Sequence, residues 1–95
     1  MSGNVVCNNG PLDLTSAIIT GHAASQMRER QITPEQVREV LARPEEVLPV
    51  REGRVVAQAV AAGYLLRVFV DVDRSPPEVV TVYRTSKMEK YRRRP

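Results

Sequence analysis

From Val47 to Arg84 the chain alternates apolar and polar residues with a period of two, and β-branched side chains dominate. The pattern breaks only at Glu52-Gly53, at Ala62-Gly63 and at Asp73-Arg74-Ser75-Pro76-Pro77. A period of two cannot wrap as a helix, and turns this short force neighbouring strands to run antiparallel. The reading is four strands near 46–51, 54–61, 64–72 and 78–84, joined as a meander. The third would show Tyr64, Leu66, Val68, Val70 and Val72 on one side and Leu65, Arg67, Phe69 and Asp71 on the other. The fourth would place Val80 and Val82 on one side, with Val79, Thr81 and Tyr83 opposite.

The aliphatic side of such a sheet needs a covering layer, and the preceding residues supply it. Thr20 is a candidate N-cap for a helix over 21–31, with Ala23, Ala24, Met27 and then Ile32 as its apolar stripe. Thr33-Pro34-Glu35-Gln36 starts a second helix: a capping Thr, Pro at the first helical position and Gln at the capping-box position. Val37, Val40 and Leu41 repeat at helical spacing, Glu39 and Arg43 form an i,i+4 pair, and Pro44 ends the helix. A last short helix near 86–93 would carry cations, and Asn8-Asn9-Gly10-Pro11 marks residues 1–14 as a flexible arm. The expected fold class is therefore α+β: a single domain over 15–95, with two N-terminal helices on one face of a four-stranded antiparallel meander and a short basic C-terminal helix. The opposite face, lined by Arg67, Phe69, Thr81 and Tyr83, mixes polar and apolar groups and suits a concave binding surface.

Counting removes several classes of chemistry. One Cys, at position 7, cannot close an intramolecular disulfide, and one His with one Cys cannot make a zinc site. No phosphate-binding G-x-x-x-x-G-K, dinucleotide G-x-G-x-x-G or hydrolase G-x-S-x-G occurs. No metal and no cofactor is expected, and no heptad run is long enough for a coiled coil. The first residues lack a basic-then-apolar leader pattern. The uncharged stretch Val55–Leu66 falls short of the roughly 20 residues that span a bilayer. A cytoplasmic chain with no membrane partner is the expectation.

The net charge of +3 is unevenly spread. Residues 84–95 hold Arg84, Lys87, Lys90, Arg92, Arg93 and Arg94 against Glu89, a local +5 that leaves −2 for residues 1–83. Such a cluster can track phosphates with release of counterions, or it can be a solvated end. His22 would fall at the second position of the first helix, where an uncharged imidazole could serve as a general base or simply pack. Arg84-Thr85-Ser86-Lys87, with Tyr91 one helical turn beyond Lys87, offers a phosphate cradle. Metal-independent RNA cleavage needs a base, an acid and fixed positive charge; His22, then Tyr91 or Lys87, then Arg84 with Arg67 could fill those roles. Arg30, Arg67, Thr85, Ser86, Lys90, Arg92, Arg93 and Arg94 would contact the nucleic acid. The alternative is a non-catalytic module that binds nucleic acid or an acidic protein through its basic end.

Two motifs add a resemblance. His22-Ala23, Met27, Arg30 and Ile32, then Pro44-Glu45-Glu46-Val47, then Val80-Thr81-Val82-Tyr83-Arg84-Thr85-Ser86-Lys87 with Tyr91 resemble a bacterial family of domains of unknown function. Its members read H-A-x-x-R-M-x-x-R-x-I and T-V-Y-x-T-x-K-x-x-K-Y. That family is similar in layout to BrnT-type toxins and, more remotely, to the RelE/ParE and barnase–colicin groups of small ribonucleases. The resemblance implies a ribonuclease-like fold, a toxin-type endoribonuclease acting on RNA and an antitoxin partner. His22, Arg30, Arg84, Thr85, Lys87 and Tyr91 match its motif positions, whereas Gln26 stands where the motif has Arg.

Overall fold

The computed structural model describes residues 14–86, and the expected basic C-terminal helix lies outside them. Leu14–Ser16 form a single 3-10 turn, followed by β1 (Ile18–Ile19), α1 (Gly21–Arg30) and α2 (Pro34–Ala42). Four strands complete the chain: β2 (Glu46–Arg51), β3 (Arg54–Ala61), β4 (Tyr64–Asp71) and β5 (Glu78–Thr85).

Both helices begin on the caps that the sequence offers. Thr20 Oγ1 accepts from the Ala23 amide at 3.2 Å and donates to the Val79 carbonyl at 2.9 Å, so one hydroxyl starts α1 and ties it to β5. Thr33 and Gln36 close the capping box in both directions, at 3.0 and 3.1 Å. Gln31 ends α1 in the left-handed region, with φ 58°. The amides of Gln31 and Ile32 bond back to Arg28 and Met27, which drives the Ile32 side chain into the core.

The sheet corrects the expected four-stranded antiparallel meander. It has five strands in the order β1-β5-β4-β3-β2, and β1 pairs parallel to β5, with Ile18 opposite Glu78 and Ile19 opposite Val79. β2 through β5 form the antiparallel meander within this mixed sheet. Two residues are too few to show a period, so β1 is invisible to alternation. It exists because the chain entering α1 satisfies its amides on the free edge of β5: Ile18 N–H on Pro77 and Thr20 N–H on Val79.

A second correction concerns β5. Phe69 pairs with Thr81, but Val70 pairs with Val79, so Val80 is an extra residue bulged out of the ladder. The bulge restarts the alternation and turns Val79, expected beside Thr81, into the core with Val82. Ala23, Met27, Ile32, Val37, Val40 and Leu41 cover Ala57, Ala59, Leu66, Val68, Val70, Val79 and Val82, with Leu14 and Ala17 filling one end. α1 packs chiefly on β5, and α2 on β3 and β4. Between β3 and β4, Ala62 and Gly63 turn the chain with φ 54° and 83°, the pair of positive values that a tight primed hairpin requires. Among the described residues no helix is long and apolar enough to cross a membrane.

Candidate functional site

Antiparallel register stacks side chains in rows across a sheet, and the face that no described helix covers carries four such rows. At one end Arg54 and Asp71 pair, with Glu78 beyond. Next come Leu48, Val56, Phe69 and Thr81; then Glu46, Gln58, Arg67 and Tyr83; then Val60, Leu65 and Thr85. The third row is polar from β2 to β5.

That row is joined by hydrogen bonds. Gln58 Nε2 donates to Glu46 Oε1 at 2.8 Å, and its carbonyl oxygen accepts from Arg67 Nε at 2.9 Å. Arg67 Nη1 donates to Tyr83 Oη at 2.6 Å. The guanidinium carbon lies 5.4 Å from the Phe69 ring centroid and 5.7 Å from that of Tyr83, and the two rings stack at 5.9 Å with 18° between their planes. Cation–π contacts of this kind contribute about 0.5–2 kcal/mol and hold the guanidinium beside the aromatic pair. Gln58 is only 1% exposed, whereas Arg67, Phe69 and Tyr83 are half-buried. The arrangement sets a carboxylate, an amide, a cation and a phenol in line, with the Phe69 ring stacked beside the phenol.

The first row is a clamp rather than a reaction centre. Arg54 Nε donates to Asp71 Oδ1 at 2.6 Å, and Arg74 stands 3.8 Å from the other carboxylate oxygen. The Arg54 hydrogen bond, with the charges of Arg54, Arg74 and Arg51, holds the Asp71 carboxyl below the ordinary carboxylate range against the opposing effect of burial.

The residues singled out from the sequence divide between the two faces. Arg67 and Thr85 lie on the face that no described helix covers, where Val56, Gln58 and Leu65 are nonetheless buried. Arg84, opposite Leu66, points to the helix side, where its guanidinium carbon sits 4.6 Å from the Tyr64 ring centroid. His22 and Arg30 are exposed near the two ends of α1, also on the helix side, and Ser86 is exposed after β5. α1 opens beside Val79, so about 17 Å of strand separates that point from Arg84. Lys87, Lys90, Tyr91, Arg92, Arg93 and Arg94 lie outside the described residues. Among the described residues, no three His, Cys, Asp or Glu side chains are grouped to hold a metal ion.

Sequence reading gave Glu46 and Gln58 no chemical role, and placed Tyr83 only as lining of a face and as a motif position. A signal was there: Gln58 is the lone polar side chain in the Val55–Leu66 run. A polar residue mid-strand in such a run needs a buried partner. Gln26 also takes a role that counting charges does not reveal. Its Oε1 accepts the Val82 amide at 3.0 Å, where β1 has already ended and β5 would expose an unpaired edge group. Arg, a donor only, could not do this.

Against known families, residues 19–84 match the model of a domain of unknown function, DUF4258. The match spans more than half of the chain, which therefore belongs to that family. No curated protein and no solved structure matches. The comparisons thus carry the family and give no support to the likeness with ribonuclease toxins.

Proposed function

We propose that this chain binds single-stranded RNA at the half-buried Arg67, Phe69 and Tyr83 of the sheet face that no described helix covers, with residues 84–95 adding electrostatic attraction. The observation that carries this reading is Arg67, bonded to Gln58 and Tyr83 and within cation–π distance of the Phe69 and Tyr83 rings. A cation beside aromatic rings on a sheet face suits a phosphate next to an unstacked base. The local +5 of residues 84–95 supplies non-specific phosphate attraction.

Fluorescence anisotropy with a labelled single-stranded RNA in EDTA tests it. Affinity should fall as salt rises from about 50 to about 200 mM, and Arg67→Gln should weaken binding about tenfold or more. Affinity that ignores salt, or an Arg67→Gln variant that binds like the parent, rejects the reading.

A second reading, metal-independent cleavage of the bound RNA by a toxin-type endoribonuclease, is favoured by the same row. Glu46, Arg67 and Tyr83 place a proton acceptor, a fixed charge and a hydroxyl on one line, and positioned acid–base groups accelerate such reactions about 10²–10⁴-fold. His22 and Arg84 of the expected catalytic set lie on the opposite, helix side and would act apart from this row, Lys87 and Tyr91 lie outside the described residues, and an antitoxin or other acidic protein would be the partner. Cleavage in EDTA that Glu46→Gln or His22→Ala abolishes would support it and identify the base. RNA recovered intact would leave binding alone.

A further inference from the structure

Leu65 is 0% exposed, and Val56 and Gln58 are 1% exposed, although all three stand on the face that no described helix covers. Val56 and Leu65 do not belong to the helix-side core. Neighbours in a pleated sheet shield a side chain from the flanks and leave its tip to water, so closing the tips takes a further layer. A single chain achieves this burial, so the layer belongs to the same chain.

The three positions form a diagonal stripe. Leu65 stands in the row that ends at Thr85, Gln58 in the next row and Val56 in the one beyond, about 14 Å from Leu65. Val60, beside Leu65 on β3, is 40% exposed, so the cover over that row comes from the β5 side. That is where the chain leaves the sheet: Thr85 ends β5 opposite Leu65, and residues 87–95 follow after Ser86. As the helix expected from the sequence, these nine residues are about 13.5 Å long, which matches the stripe. Met88 and Tyr91 are the large apolar residues among them, at the i,i+3 spacing that puts both on one side. Residues 1–13 join the chain across the sheet, at Leu14 in the helix-side core.

We propose that residues 87–95 dock on this face of their own chain, with Met88 and Tyr91 over Leu65, Gln58 and Val56. The basic end is then part of the fold and not a loose arm. Docked there, its cations stand beside the half-buried Arg67, Phe69 and Tyr83 and join the two parts of the RNA surface. That consequence rests on the RNA-binding reading; the docking itself does not.

A nitroxide on the full-length chain tests the docking. Attached at position 90 of the Cys7→Ser, Lys90→Cys variant, it should broaden the Leu65 and Val56 methyl signals well beyond those of Val37 and Val40 on the helix side. The same label on the native Cys7 should not. Selective broadening from Cys7 in place of position 90 would assign the cover to residues 1–13. Equal broadening on both sides from position 90, or none, would leave the segment undocked. Either result overturns the inference.

Docking also contributes stability. Met88→Ser with Tyr91→Ser should lower the folded-to-unfolded ratio about tenfold or more in urea unfolding. It should also open the Leu65 and Val56 methyls to a soluble paramagnetic chelate while Val37 and Val40 stay shielded. A parental midpoint with unchanged methyl signals overturns the inference as well. None of these readouts contains RNA, so failure here leaves the Arg67→Gln binding test standing, and a chain that binds no RNA can still pass.

Discussion

The two faces of the sheet are written by the same alternation, yet they are built to different ends. Toward the helices the rows are aliphatic apart from Arg84 and Tyr64 at one end: Ala57, Ala59, Leu66, Val68, Val70, Val79 and Val82 pack with Ala23, Met27, Val37, Val40 and Leu41. On the other face Arg54–Asp71 and Glu46–Gln58–Arg67–Tyr83 are threaded by directed hydrogen bonds. Burial on the first face is non-directional and scales with area, so it contributes stability, and Val56 and Leu65 add buried aliphatic surface on the second. The second face fixes the direction of particular groups, as a recognition surface must. Neighbours in sequence therefore belong to different economies: Leu66 to the core, Arg67 to the surface chemistry.

That division can be broken deliberately. Leu66→Ala, at a 2% exposed core position, should cost about 2–5 kcal/mol in urea unfolding, whereas Arg67→Gln beside it should lower RNA affinity with a far smaller change in midpoint. Equal stability losses would mean that both faces carry the fold. Gln26→Arg installs the residue of the resembling motif and strips the Val82 amide of its acceptor; a loss of about 1–2 kcal/mol is expected, while Gln26→Glu, which keeps an acceptor, should lie close to the parent. Asp71 makes this second face sensitive to acid. Its folded carboxyl titrates below the unfolded value of about 3.9, so its contribution is complete above that pH and disappears as pH falls through the folded value. In Asp71→Asn this part of the acid-induced loss should vanish, and a midpoint curve below pH ~4 that matches the parent's would reassign the clamp. The smallest effect belongs to neither face: Ala62→Gly should add about 0.5–1 kcal/mol, because φ 54° strains a Cβ that glycine lacks.

Much of the fold was legible because its signals are local. The Thr33–Gln36 capping box, the Thr20 cap and the three turn signals place α1, α2 and the four long strands within a residue or two of where they stand. β1 and the Val80 bulge were not legible for the same reason inverted: both answer to partners some sixty and eleven positions away, and neither leaves a periodic trace. At the site, alternation was enough to put Arg67, Phe69, Thr81 and Tyr83 on one face. The Glu46–Gln58–Arg67–Tyr83 line depends on the registers of three separate strand pairs, which pattern alone does not specify. His22 and Arg84 stood out for their chemistry, and chemistry without register says nothing about which side of a sheet a residue will face.

The parallel pairing of Ile18–Ile19 with Glu78–Val79 has a consequence for biosynthesis. α1 is made early, yet the strand that it packs against is the last one described. On the ribosome the β2–β4 meander can zip as it emerges, at roughly 5–20 residues per second, while α1 waits with Ala23 and Met27 uncovered. A premature stop anywhere before Val79 would leave that helix with no dock, and the truncated product would present its apolar stripe to chaperones and proteases.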